Sequence, residues 1–277
     1  SGWQIKRYST MKKFIYIISF LSFQTNLIGQ QNCEILKDDP KCYQACLTMN
    51  QESLHHQGSY ASQKHLSDAI EMCPTLSNAY FEKSVAFLKR GMFIEWKELM
   101  DKAVKINPEQ HLSYRAWCQF SFLHNYEETI KDLNKLAEIK GTPFIGVGQS
   151  GDYDLRIVLA LSYKLTNRKE KAIEIIEKAM MDKDYYVGLY DYLHLGVIYL
   201  ENNELDKALE SFKKQIEENE LAEVYFYLSK TYLRLENPSE ATKNIEKAFE
   251  MYKSGRKMHS NYYQFTDQIY ERDILDL

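Results

Sequence analysis

The sequence predicts an all-α chain, a solenoid of about six antiparallel helix pairs closed by a C-terminal capping helix. Three observations carry that expectation. Leu195-Gly196, Tyr199, Ala208 and Phe212 recur 33 residues on as Leu228-Ser229, Tyr232, Ala241 and Ile245. Helix breakers are scarce, with 5 Pro and 11 Gly in 277 residues against 21 Tyr able to act as knobs between helices. They concentrate in one place, residues 141–152 (GTPFIGVGQSGD), where four glycines and a proline exclude a helix and interrupt the period. A single helix pair cannot bury its own apolar stripe, so stacked neighbours must supply the core.

The elements follow in order. Residues 1–30 read as an upstream extension followed by a signal peptide that starts at Met11. Met11-Lys12-Lys13 precedes an apolar run at 14–23 that suits a secretory core and is too short to span a membrane, with a cut expected after Gly29 or Gln30. Residues 31–42 form a lead whose Asp38-Asp39-Pro40 suits a helix start. Repeats one to three occupy 43–140, the glycine loop 141–152, and repeats four to six 153–255. From Arg256 the period ends. Tyr262, Tyr263, Phe265, Ile269, Tyr270 and Ile274 then read as a capping helix, because the last repeat has no neighbour to cover its apolar face.

The recurring residues resemble the tetratricopeptide repeat, with its W-x2-L-G-x2-Y…A-x3-F…P signature. The resemblance implies a right-handed superhelix whose ligand peptides lie on the concave face made by the first helices. Carried over, it marks Tyr190 and His194 in the fifth repeat and Tyr227, Lys230 and Arg234 in the sixth as a peptide-binding groove. The second repeat offers Asn78, Phe81, Glu82, Val85, Leu88 and Lys89. Chaperone-binding members hold a terminal carboxylate with a Lys and Asn clamp. At those two positions this chain has Leu193 and Val197, Phe226 and Lys230, or Phe81 and Val85, so the clamp is absent. Trp96 and Trp117 stand where small residues are usual, and large rings at a helix crossing must widen it or swing aside.

Net charge of -4 and pI near 6.0 give no long-range attraction for phosphate backbones, so nucleic acid is not an expected partner. Gly146-Val147-Gly148-Gln149-Ser150-Gly151 has the form of a dinucleotide-binding loop but lacks the strand–turn–helix setting that such a site needs. It reads instead as a shaped loop in which Ser150 or Asp152 caps the next helix. Gly146, Gly148, Ser150 and Asp152 stand as a rival binding site to the groove. His55, His56 and His65 do not share a helix face, so no metal is expected. The carboxylates fall among lysines on solvated faces, and no nucleophile–base pair is legible.

Five cysteines suit an oxidising compartment and leave one over. Cys42 and Cys46 are i,i+4, with Cβ atoms about 5–6 Å apart on a helix, too far for a bridge between them. In an antiparallel pair the start of the first helix lies beside the end of the second. Cys73 is therefore expected to pair with one of the two, Cys46 being preferred, which leaves Cys33 for Cys42. The expected function is a non-catalytic scaffold that binds protein or peptide in the periplasm or outside the cell, without cofactor and without a membrane span after signal cleavage. Two alternatives remain open. One is an enzyme or a small-molecule or nucleotide binder using the 141–152 loop. The other is a cytoplasmic scaffold with an uncleaved N-terminus.

Overall fold

Six helix pairs succeed one another: α1 Pro40–Asn50 with α2 Tyr60–Met72, α3 Ser77–Lys89 with α4 Phe93–Ile106, α5 Pro108–Cys118 with α6 Tyr126–Lys140, α7 Leu155–Leu165 with α8 Lys169–Met180, α9 Asp191–Glu201 with α10 Leu205–Glu218, and α11 Ala222–Arg234 with α12 Pro238–Lys253. A short α13, Glu271–Leu275, follows. The structure is a computed structural model and describes residues 31–142, 146–149, 151 and 153–277. The expected signal peptide, Ser150 and Asp152 lie outside the described residues.

Local chemistry sets the helix ends. The side chains of Asp39, Ser59, Asn107, Asn125, Asp154 and Asn237 accept bonds from backbone N–H groups of the first turn. These are donors that no carbonyl within the helix can reach. Proline opens α1, α5 and α12, where its missing N–H removes nothing. Between the helices of a pair one residue turns left-handed: Gly91, His124, Asn167, Asn203 and Glu236 all have positive φ. The carbonyls of Phe87, Tyr163, Tyr199 and Tyr232 each accept a bond of 2.8–2.9 Å from the residue that leads into the second helix. Repetition of this Schellman-type closure explains why the sequence period survives at the turns.

First helices of adjacent pairs touch one another directly, α5 with α7, α7 with α9 and α9 with α11, more closely than the second helices do. The stack therefore curves around the first helices, which form its concave face. One continuous core runs from Trp96 on α4 through Leu228 on α11 and takes in Met258 and Phe265 of the C-terminal segment. Two smaller clusters close the ends, one around Cys46, Leu66 and Cys73, the other around Phe226, Met251, Ile269 and Ile274.

The small residues of the repeat earn their place by contact. A Cβ on Gly196 would stand 2.5 Å from Cε1 of the fully buried Phe212, so α9 and α10 approach only because that methyl is missing. Trp96, at a position that is usually small, is fully buried with its indole nitrogen unpartnered. Trp117 is accommodated differently. A Cβ on Gly148 would lie 2.7 Å from Trp117 Cε3, so the glycine loop surrenders a side chain where α5 gains a large one.

The structure departs from the sequence-based expectation in three places. The disulfides are Cys33–Cys46 and Cys42–Cys73, with Cα separations of 5.6 and 5.0 Å, and Cys118 is free and buried. The Cys46–Cys73 pairing is thus corrected. Cys42 lies in the first turn of α1, beside Cys73 at the end of α2, whereas Cys46 is one turn further along and meets the 3-10 turn Cys33–Leu36. The cap of α7 is Asp154, not Ser150 or Asp152, because the helix begins only at Leu155. The C-terminal cap is present, but its helix is confined to Glu271–Leu275, and residues 256–270 form a non-helical strap. No helix among the described residues is long and apolar enough to cross a membrane.

Candidate functional site

The strap governs the concave face. It is closed at its base on α11. Ala222 N–H donates to the Arg256 carbonyl (2.9 Å), and the Glu223 carboxylate accepts from Met258 N–H (3.1 and 3.2 Å to its two oxygens) and from the Ile269 backbone. Glu223 is fully buried, and that burial pushes its carboxyl up to about 7. From this base the strap crosses the first helices. Tyr263 meets the Trp117 ring of α5 edge-on at 5.5 Å and Phe122 at 6.1 Å. Phe265, only 5% exposed, packs edge-to-face against Tyr153 (6.0 Å), Tyr190 (5.2 Å) and Tyr263 (5.0 Å). A turn follows, closed by Gln268 Oε1 accepting from Phe265 N–H (3.1 Å).

At that turn Asp267 has φ of 64° and points its carboxylate into the stack. One oxygen is ion-paired with Lys164 of α7, and the other accepts from His194 Nδ1 of α9 at 2.8 Å. On its far side His194 Nε2 is 2.9 Å from the Tyr153 hydroxyl. Burial favours the neutral acid, but Lys164 and His194 outweigh it and hold the Asp267 carboxyl below its usual value. Burial, with neighbouring phenols and acids, pushes the Tyr153 hydroxyl far up, so it keeps its proton. An ionised Asp267 can only accept, which places the imidazole proton on Nδ1 and leaves Nε2 to accept from Tyr153. The result is a relay Tyr153–His194–Asp267–Lys164 within the stack. Glu201 stands 3.3 Å from Lys164 and is shared with Lys169 at 3.8 Å, so two cations meet two carboxylates there.

The five expected groove residues, at the start of α9 and along α9 and α11, all have partners within the chain. His194 is fully buried beneath Asp267. Tyr190 supports Phe265. Tyr227 stacks on Phe212 at 6.3 Å, and Lys230 lies over the Phe226 and Tyr227 rings. Arg234 is exposed at the helix end and donates to the Leu200 carbonyl (2.6 Å). Leu193, Val197 and Phe226 are core. The repeat register also places Glu223 on this face, whereas nothing in the period marks Lys164, Phe265 or Asp267 as site residues. The available signals were a lysine inside the otherwise apolar LRIVLALSYKL and an acid inside an aromatic-rich tail.

In the second repeat Phe81 stacks on His111 (5.4 Å) and meets Tyr114 edge-on (4.8 Å). Beside it burial, reinforced by Glu52, pushes the Glu82 carboxyl up to about 7. The rival loop is folded tightly on itself. Gly148 N–H donates to the Tyr153 carbonyl (2.8 Å), Leu155 N–H to the Gly146 carbonyl (2.9 Å), and Val147 bridges Asp154. Gly146 and Gly151 have positive φ, and Gly148 lies against Trp117. His55 and His65 stack at 5.3 Å, and among the described residues no three His, Cys, Asp or Glu side chains come together as a metal set would require.

The helix pairs, the left-handed turns and the Leu-Gly/Phe contacts define a class, the α-solenoid of repeated hairpins. The tetratricopeptide repeat profile matches residues 77–110, 153–181, 192–220 and 222–254, and the chain is a member of the tetratricopeptide repeat family. No curated protein matches its sequence. Among solved structures it is similar to PilF of Pseudomonas aeruginosa, at 14% identity over 78% of this chain and 94% of that one, with a TM-score of 0.54. It is also similar to PilW, described as a widely conserved type IV pilus biogenesis factor, at 14% identity over 77% and 94% and a TM-score of 0.55. MamA aligns at 19% identity over 66% and 97%, with a TM-score of 0.53. At these identities the likeness is one of fold. Members of the family are in general protein-binding scaffolds.

Proposed function

We propose that the chain is a non-catalytic scaffold that binds a protein or peptide on the concave face of its repeats, in the periplasm or outside the cell. One observation carries the binding reading. The face made by α5, α7, α9 and α11 already accommodates a non-helical segment of polypeptide, with an aromatic side chain in a cage of rings and a carboxylate between Lys164 and His194. Such buried aromatic anchors, paired with a desolvated charge, are the features from which tight protein contacts are built. Export is supported by the two disulfides, since such bonds persist where the compartment is oxidising. The non-catalytic reading is supported by the repeat family, whose members are in general scaffolds.

The test is crosslinking and affinity capture from native cells with the wild type and a Lys230→Glu/Arg234→Glu variant. Mass measurement of the mature N-terminus accompanies it. A partner recovered by the wild type and lost in the variant, with an N-terminus near residue 31, is the expected result. Equal recovery by both overturns the groove. An intact N-terminus beginning at or before Met11 overturns export.

A further inference from the structure

A cap needs to cover only the last repeat, and the strap does far more. Ile269 and Ile274 already close the face of α11 and α12, packing on Ala222, Phe226, Ala248 and Met251. Between the two anchors on Glu223, residues 259–268 leave that face and travel back to α5, three repeats away, where Tyr263 meets Trp117 and Phe122. Nothing about terminating a solenoid requires that excursion. Along it Tyr263, Phe265 and Asp267 face the helices at every second position, while Tyr262 and Gln264 face solvent. Tyr263 and Phe265 alternate as an extended ligand does in a groove, and the turn at 266–267 then directs Asp267 inward. Asp267 also holds a left-handed φ, which favours glycine, and Lys164 and His194 grip its carboxylate in that conformation.

The seat is also approachable. A cleft of about 550 Å³ opens directly beside strap residues 264–268, lined on the solenoid side by His124, Lys164, Asn167, Lys169 and Glu201. Lys169 is part-exposed there and lies close to Lys164 through their shared neighbour Glu201. An incoming acidic segment can therefore engage Lys169 before it competes for Lys164, with no need to unfold a repeat.

Resting on the concave-face reading above, we infer that residues 259–268 are a tethered internal ligand, and that the scaffold's partner is a protein segment of the same chemistry, a non-helical aromatic-x-aromatic-x-acid with a turn at the acid, which displaces the strap from Lys164, His194 and the Tyr153–Tyr190 ring cage. The tether gives the strap a high local concentration, so a free peptide binds the closed chain weakly. The partner gains access where its own contacts exceed those of the strap. Recognition and release are then one equilibrium, set by how well Asp267 and Phe265 hold their seats.

The experiment uses the full-length chain and a fluorescein-labelled peptide copying residues 260–269. Its control carries alanine at the positions of Phe265 and Asp267. Anisotropy titration is run on the wild type, on Phe265→Ala and on Asp267→Asn, each checked by circular dichroism and melting. The labelled peptide should bind the strap variants at least ten-fold more tightly than the wild type, and the control peptide should gain nothing from either variant. Hydrogen exchange on the wild type supplies a readout that does not depend on a variant folding. Amides of 259–268 should exchange faster than those of α7, α9 and α11, and faster still with excess peptide. Equal affinity for wild type and both variants overturns the inference, as does strap exchange only by global unfolding. Tight binding of the control peptide also overturns it. If capture from cells succeeds while displacement fails, the scaffold stands and only the internal-ligand inference falls.

Discussion

Replacing Gly196 with alanine would set a methyl 2.5, 2.7 and 3.0 Å from Cε1, Cδ1 and Cζ of Phe212. That ring is fully buried and stacked on Tyr227, so it cannot swing aside without parting α9 from α10. Two effects compete. Alanine is the better helix former by up to about 1 kcal/mol. Overpacking a filled core costs about 1–3 kcal/mol, and three ring atoms at such distances argue for the upper end. The net expectation is a loss of about 1–2 kcal/mol, seen as a lower urea midpoint at unchanged slope. Phe212→Leu alone is destabilising through the space it leaves, yet it makes room for the methyl. The double variant should therefore lose less than the two singles together by about 1 kcal/mol or more. A higher midpoint for Gly196→Ala, or additivity within about 0.5 kcal/mol, would refute the packing account.

Non-reducing peptide mapping should recover Cys33–Cys46 and Cys42–Cys73 with Cys118 free. Loop-closure entropy over sequence separations of 13 and 31 predicts stabilisation of about 3 and 4 kcal/mol, so a melting temperature unmoved by reductant would contradict it. Arg115 forks onto the buried Asp132 (2.6 and 2.8 Å) and reaches Asp101 (2.8 Å), joining α4, α5 and α6. Arg115→Ala leaves the Asp132 carboxylate without its cation, with only Gln119 still donating to it (2.9 Å), and should destabilise by about 3–5 kcal/mol, far more than loss of a solvent-screened surface pair such as Lys64–Asp68. Glu82 and Glu223, raised to about 7 by burial, keep protons that the unfolded chain has released. Their contribution is whole below the ordinary carboxyl value of 4.5 and is lost as pH rises through about 7. Glu223→Gln should flatten the fall in melting temperature over that window, and an equally steep fall would count against the assignment. Burial pushes the Cys118 thiol up to about 12, so alkylation of the native protein should track unfolding, and rapid labelling in native buffer would exclude this.

Repeats were legible wherever one residue performs one task at a fixed spacing. Leu195-Gly196 against Phe212 is such a case, and so are the Asn167 and Gly91 turns, because helix pairing imposes the same local contact each time. Legibility fell where the contact is long-range. Lys164 and Asp267 are 103 positions apart, and no period links them. The aromatic spacing of the tail suits a helix, but Lys164 and His194 draw Asp267 into the stack, and that pull favours a non-helical strap with a turn at Asp267. The Trp117–Gly148 match belongs to the same kind, since a bulky residue at a small-residue site looked like a defect until the loop supplied the missing volume. The cysteine pairing failed on a finer point. Antiparallel packing brings Cys73 to the start of α1, but choosing between Cys42 and Cys46 depends on which helical turn faces the end of α2 and which faces the 3-10 lead.

The two bridges of the first repeat also lay down a covalent path for mechanical load. Tension applied at the N-terminal end enters at Cys33, crosses to Cys46, runs back along one turn of α1 to Cys42, and leaves through Cys73. Residues 34–41 and 47–72, all of α2 included, lie outside that path and feel none of the pull. The first element to extend under force is then not the terminal hairpin, as in an unbridged array, but one further in, where only side-chain packing resists. A chain tethered by its N-terminus would keep that hairpin as a fixed handle while the repeats beyond it yield.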